Sequence, residues 1–224
     1  MPESAELELP WQALVLAGVG GQGLQTALEI LALAADEIGL TVQTFAPLSL
    51  ARLGGSACCH LRFGPASTPR IAPGQADLLI ALEMSEALRI LPLARVGALA
   101  FISTWRRPPL AASLRGQPYP DQQTLTAALQ QRGMKGIFVE PRCSGWSPSP
   151  AGERAAEDEE VPAGLLSLFM LAVCCSAIDL LPRAALEHAL TRHLEEEPAI
   201  AAVAGRLFAC AWQRGTLLRP LPGT

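Results

Sequence analysis

The stretch from Ala13 to Phe45 limits the folds open to this chain more than any other. Ala13-Leu14-Val15-Leu16-Ala17 is a short apolar run that stops at Gly18, and it reads as a buried strand. Gly18-Val19-Gly20-Gly21-Gln22-Gly23 follows. Leu24, Leu28, Leu31, Ala35 and Ile38 then recur at helical spacing, with Gln25, Glu29 and Asp36 on other faces. Gly39 stands where a helix C-terminal cap belongs. Thr41 to Phe45 has the β-branched and aromatic character of a second strand. Strand, glycine loop, helix and strand in that order make a βαβ unit, with a right-handed crossover expected.

Further strands read at 57–63, 77–82, 98–103 and 136–140, with helices at 83–91 and 124–132. In the first of these strands Cys59, Leu61 and Phe63 share one face, and Cys58, His60 and Arg62 the other. From Cys143 the character changes. Pro, Gly and Ser are dense up to Gly152, and Glu157-Asp158-Glu159-Glu160 is an acidic run, so 143–160 reads as a polar loop or insert. Helices are expected at about 163–180, 182–196 and 199–213. The division is therefore 1–142 for the sheet, 143–160 for the insert, 161–215 for helices packing on the same domain, and 216–224 for an unstructured tail.

Val161 to Ile178 carries no charge. Pro162 and Gly164 leave about 14 residues of helix where a membrane span needs about 20. It reads as a buried core helix, or a helix face that a partner covers. With the mean hydropathy of +0.28, it suggests more apolar surface than a monomer of 224 residues covers, hence a homodimer. A net charge of −4 argues against nucleic acid as the main partner. The start, Met1 to Trp11, has neither the basic segment nor the apolar core of a leader. None of the six cysteines forms a Cys-x-x-Cys, and two groups are adjacent pairs, which chelate poorly. These features point to a reduced, cytoplasmic setting and to no metal held by the chain.

Gly18, Gly20 and Gly23 form a G-x-G-x-x-G after a strand and at the start of a helix, where free N–H groups and the helix dipole favour a phosphate. The same glycines also serve a tight turn with nothing bound. A dinucleotide site wants an acid at the end of the second strand, and Phe45-Ala46-Pro47-Leu48 has none, so a self-sufficient NAD-dependent dehydrogenase is disfavoured. The loop lacks the Walker lysine. Cys59 and His60 face opposite ways on a strand, and His188 and His193 are five apart on a helix, so neither pair carries catalysis or metal. Glu83 and Glu86 read as an exposed, acid-rich helix start. Arg52 precedes Gly54-Gly55, where an anionic group could come close. No catalytic residue is assigned.

Taken together, Gly18 to Gly23, Arg52-Leu53-Gly54-Gly55-Ser56, His60-Leu61-Arg62-Phe63-Gly64 and Gly74 to Glu83 resemble the gamma-type domain of 2-oxoacid:ferredoxin oxidoreductases. The resemblance is strongest to the small (beta) subunit of the indolepyruvate enzyme and is good from about 14 to 105. It implies a Rossmann-like α/β fold, an open, mainly parallel sheet with helices on both faces and a C-terminal helical elaboration. It implies a subunit, inactive alone, of an enzyme that oxidatively decarboxylates indolepyruvate or another aryl 2-oxoacid to an acyl-CoA. Thiamine diphosphate, magnesium and iron–sulfur clusters would lie in a large partner subunit, which passes electrons to ferredoxin or another acceptor. Contact with coenzyme A would fall to Gly18, Gly20, Gly21, Gln22, Gly23, Arg52, Gly54, Gly55 and Ser56. The competing reading is a stand-alone nucleotide- or coenzyme-binding regulatory module.

Overall fold

A computed structural model describes residues 11–47, 54–109, 113–114, 116, 118–149 and 158–220. Among the described residues the strands are β1 (Ala13–Val19), β2 (Val42–Phe45), β3 (Ser56–Phe63), β4 (Ala76–Ala81), β5 (Ala94–Ser103), β6 (Lys135–Val139), β7 (Arg142–Ser144) and β8 (Asp158–Glu160). The α-helices among them are α1 (Leu24–Glu37), α2 (Met84–Ile90), α3 (Gln122–Gln131), α4 (Leu166–Ile178), α5 (Arg183–His193) and α6 (Pro198–Leu217).

The first six strands form one sheet in the order β2-β3-β1-β4-β5-β6. β1, β4, β5 and β6 are mutually parallel, and β3 runs against both β1 and β2. The βαβ unit read from the sequence is thus split: β2 points the same way as β1 but β3 lies between them. All seven residues of β1 are buried, as a central strand covered on both faces requires. Leu14, Leu16, Leu61, Leu78, Ile80 and Phe101 lie on the side of α1 and α4, with α5 packed on α1 and α6 on α4 beyond them. Val15, Ala17, Leu79, Ala81, Ala100 and Ile102 face α2 and α3. The fold is Rossmann-like α/β with helices on both faces.

Gly39 ends α1 as its position suggests. It takes φ +76°, its N–H donates to the Asp36 carbonyl at 2.9 Å, and the Leu40 N–H donates to Ala35 at 2.9 Å, the double bond of a Schellman cap.

Of the two readings open for the uncharged helix, the buried core helix holds, and the insert and the tail each carry more structure than expected. α4 is apolar all round because it is enclosed: Leu166 to Ala177 are all buried, and α6 and the sheet cover it. No partner is needed to cover it, and among the described residues no helix is long and apolar enough to cross a membrane. The expected insert is bounded by strand pairing, since Arg142 to Ser144 zip antiparallel with the acidic Asp158 to Glu160. The Arg142 guanidinium donates to the Asp158 backbone carbonyl at 2.8 Å, Ser144 Oγ donates to the Asp158 carboxylate, and Trp105 Nε1 donates to Glu160 at 2.8 Å. The tail expected from 216 is still helical to Leu217.

Candidate functional site

The C-terminal ends of β1 and β4 lie at one edge of the sheet, together with the start of β3, and the Gly18–Gly23 loop rises from them. In open α/β sheets this is the edge where ligands bind. The glycines there have distinct tasks. A Cβ on Gly18 would stand 2.5 Å from the Gln22 Oε1 and 3.0 Å from Leu82 Cβ, so Gly18 is a packing glycine. Gln22 is buried and props the loop from inside: its Oε1 accepts the Val19 N–H at 2.6 Å. Its Nε2 has no partner among the described residues. Gly20 donates its N–H to the Gly55 carbonyl at 2.8 Å and accepts from Gly54 N–H at 3.3 Å. Gly23, at φ +77°, is the N-cap of α1, and a Cβ there would meet the Gly164 carbonyl and Ser167 Oγ at 2.7 Å each. The Ser167 Oγ in turn donates to the Gly23 carbonyl at 2.7 Å, fastening α4 under the loop.

Gly21 is the glycine left open. It has φ +95°, it is exposed, and a Cβ on it would meet nothing within 4 Å. No side chain caps α1. The Cβ side of Gly21 is thus open, beside the Gly54–Ser56 turn, whereas that of Gly23 is filled by Gly164 and Ser167. Arg52 lies outside the described residues.

Below the turn sits a buried polar cluster that the sequence reading placed on the surface. Glu83 is fully buried and Glu86 is 1% exposed. Glu83 Oε2 caps α2, accepting from the Ser85 N–H at 2.7 Å, the Glu86 N–H at 3.1 Å, and the Ser85 hydroxyl. Among the described residues its other oxygen forms no well-aligned hydrogen bond, and neither does the buried Tyr119 hydroxyl, although the Glu83 carboxylate and the Met84 backbone lie close enough to act on that hydroxyl. Burial first, and the Glu83 carboxylate second, push the Tyr119 phenol far up, so it stays protonated. Glu86 accepts from Ser56 Oγ at 2.6 Å and from Arg89 Nε at 2.7 Å, so its charge is answered. Tyr119 carried no signal in the sequence that would have brought it here.

Cys58 and His60, two apart and on one face of β3, stand 3.5 Å apart. His60 Nδ1 accepts the Ile71 N–H at 3.0 Å, so the ring proton is on Nε2. Burial pushes the Cys58 thiol up and the His60 imidazole down. The pair is therefore neutral on both sides, the opposite of an activated thiolate. Burial, with Cys58 beside it, pushes Cys59 up to about 11. Among the described residues no group of three or more His, Cys, Asp or Glu stands close enough to hold a metal ion.

The profile of the family described as pyruvate ferredoxin/flavodoxin oxidoreductase matches residues 13–213, from the first strand through the last helix. The indolepyruvate oxidoreductase subunit IorB of Archaeoglobus fulgidus is 34% identical over 142 residues, which are 63% of this chain and 67% of that one. Three other curated IorB subunits are covered over 54 to 62% of their length. The pyruvate oxidoreductase subunit PORC of Thermotoga maritima superposes with a TM-score of 0.62 at 15% identity, over 91% of this chain and 96% of that one. A 2-oxoglutarate:ferredoxin oxidoreductase of Magnetococcus marinus, solved with 2-oxoglutarate, coenzyme A and succinyl-CoA bound, superposes with a TM-score of 0.60 at 15% identity, over 94% of this chain and 31% of that one. At this identity the two structures show a shared fold.

Proposed function

The chain belongs to the pyruvate ferredoxin/flavodoxin oxidoreductase family, and from that premise we propose that it is the gamma-type small subunit of a 2-oxoacid:ferredoxin oxidoreductase. The observation that carries the reading is the span of the match, which takes in the glycine loop, the sheet and the C-terminal helices together. Its relatives named indolepyruvate oxidoreductase subunits favour indolepyruvate or another aryl 2-oxoacid as the substrate. The reaction is oxidative decarboxylation to an acyl-CoA, with the electrons passed to ferredoxin or another acceptor. Thiamine diphosphate, magnesium and iron–sulfur clusters belong in this reading to a large partner subunit, and among the described residues no group of three or more His, Cys, Asp or Glu gathers as metal ligands would.

This chain's own contribution is a contact with coenzyme A. Gly21 and the Gly54–Ser56 turn would meet a phosphate of the coenzyme, with the uncapped start of α1 supplying N–H groups and positive potential. Gly18, Gly20, Gln22 and Gly23 would act beneath them by shaping the loop. Arg52, two residues before the turn in sequence, would add a guanidinium. The coenzyme supplies the thiol that accepts the acyl group; this chain binds and orients it. The six free thiols agree with a cytoplasmic location. The expectation of a homodimer loses its original support, because α4 is buried within the chain.

Co-expression with a large thiamine-diphosphate subunit tests the proposal. The two chains should elute together, and the complex should reduce ferredoxin with an aryl 2-oxoacid and coenzyme A while this chain alone does not. If this chain elutes alone and adds nothing to the partner's turnover, yet binds a coenzyme by itself, it is the stand-alone regulatory module instead.

A further inference from the structure

At the opposite edge of the sheet a second polar site is built, and it owes nothing to the glycine loop. β1 pairs with β3 from Val19–Ser56 at one end to Ala13–Arg62 at the other, six residues and about 20 Å away. Beside Arg62 opens a cleft of about 620 Å³ that also takes in Ser67, Thr68, Arg70 and Gln75.

The segment that carries Ser67 to Arg70 is held in place. Gln43 Nε2 donates to the Ala66 carbonyl at 2.7 Å, Gly64 N–H donates to Thr41 at 2.8 Å, and Ile71 N–H donates to His60. Arg62 leaves the sheet with one terminal nitrogen on Gln75 Oε1 at 2.7 Å. Its Nε is buried and has no partner among the described residues. The one carboxylate on the cleft wall, Asp77, is already engaged: Oδ2 accepts the Gln12 and Ala13 N–H groups at 3.0 and 2.8 Å, and Oδ1 accepts Arg95 Nε at 2.6 Å. Among the described residues, Arg62 and Arg70 form no ion pair. Both guanidinium charges reach His60, where they add to burial in holding the imidazole neutral. Two like charges sharing a cleft, with a buried donor left over, lack a negative partner.

We propose that this cleft is an oxyanion site that takes a phosphate group, free or carried on a small molecule. Planar guanidinium groups bind phosphate oxygens through paired N–H donors, and the hydroxyls of Ser67 and Thr68 supply further donors on the same wall. The cleft is wide enough for more than the phosphate itself.

Calorimetric titration of the full-length chain at constant ionic strength tests this, with inorganic phosphate in one arm and glycerol 3-phosphate in the other. Saturable binding is expected in at least one arm, and the tighter arm tells whether the phosphate is free or carried. Arg70→Gln lies on an exposed side chain and should fold normally while weakening binding at least tenfold. Arg62→Gln should act in the same direction, with its fold checked by circular dichroism. Arg192→Gln, on the exposed face of α5, should bind as the parent does. No saturable binding in either arm up to about 10 mM, or equal binding by the parent and Arg70→Gln, overturns the proposal.

Discussion

Gly20 donates its amide hydrogen to the carbonyl of Gly55 at 2.8 Å, and Gly54 returns a bond to Gly20 at 3.3 Å. The glycine loop and the Gly54–Gly55 turn are therefore one unit, stitched across 34 residues of chain. The spacing G-x-G-x-x-G suggests backbone amides held ready for a ligand, but this bond takes the Gly20 amide out of that role. What is left for a ligand is the side at Gly21.

Two glycines of α6 should respond to alanine in opposite ways. A Cβ on Gly215 would press into the Val173 carbonyl and lie 2.8 Å from Ser176 Cβ, so Gly215→Ala must push α6 away from the buried α4. We expect a loss of about 2–4 kcal/mol. Gly205 has nothing within 4 Å of its Cβ position. Gly205→Ala should gain about 0.5–1 kcal/mol from lower backbone entropy in the unfolded chain. Urea denaturation of both variants checks this, and a Gly215→Ala protein as stable as the parent would show that the two helices are not in such close contact.

Glu83 and Tyr119 should differ just as sharply. Glu83→Ala removes the acceptor for two N–H groups at the start of α2, and we expect a cost of about 1–3 kcal/mol. Among the described residues the buried Tyr119 hydroxyl forms no well-aligned hydrogen bond, so Tyr119→Phe should stay within about 1 kcal/mol of the parent. A loss above about 2 kcal/mol for Tyr119→Phe would show that the hydroxyl is bonded in solution.

Where the signal in the sequence is local, it is legible. The apolar run of β1, the stripe of α1 and the cap at Gly39 each read correctly because neighbouring residues decide them. Partners far along the chain decide the rest. Glu83 and Glu86 look like solvated acids of a helix start; Ser56, 30 residues earlier, and Arg89, from the next turn, are what make Glu86 tolerable inside. Asp158 to Glu160 look like a charged loop until the backbone of Arg142 to Ser144 pairs with them. The position of β3 between β1 and β2 follows from sheet pairing, which the order of elements in the sequence leaves open. For the candidate site, the glycine positions were readable from the motif, whereas their division into packing, bonding and open glycines depends on Gln22, Gly55 and Gly164.

His60 gives the protein a pH dependence of known sign. Burial, and then the charges of Arg70, Arg62 and Arg89, hold its imidazole below the ordinary 6.5. The unfolded chain then takes up this proton at a higher pH than the native one. The contribution is fully present above about pH 6.5 and is lost as pH falls through the lower folded value. Melting temperatures between about pH 7.5 and 5 should fall more steeply for the parent than for His60→Asn, whose amide oxygen can accept from Ile71 but does not titrate. Parallel curves would show that His60 titrates alike in both states.

The open glycine gives the most direct test of the coenzyme contact. Gly21→Ala should fold: its methyl group meets no neighbour, and the positive φ costs about 1–2 kcal/mol. That methyl stands on the side from which a phosphate must approach within about 3 Å of the loop's N–H groups. In the reconstituted complex, KM for coenzyme A should rise by about tenfold, equivalent to about 1.4 kcal/mol of lost binding. Coenzyme-independent decarboxylation should be retained, because the proposed function gives that step to the partner subunit. Gly23→Ala separates this effect from simple damage to the fold. Its methyl would strike Gly164 and Ser167, so it should unseat α4 and lower stability as well as activity. If Gly21→Ala is folded and its KM for coenzyme A is unchanged, the loop is a strand-to-helix turn that holds β1, β3 and α4 together, and the coenzyme meets the complex elsewhere.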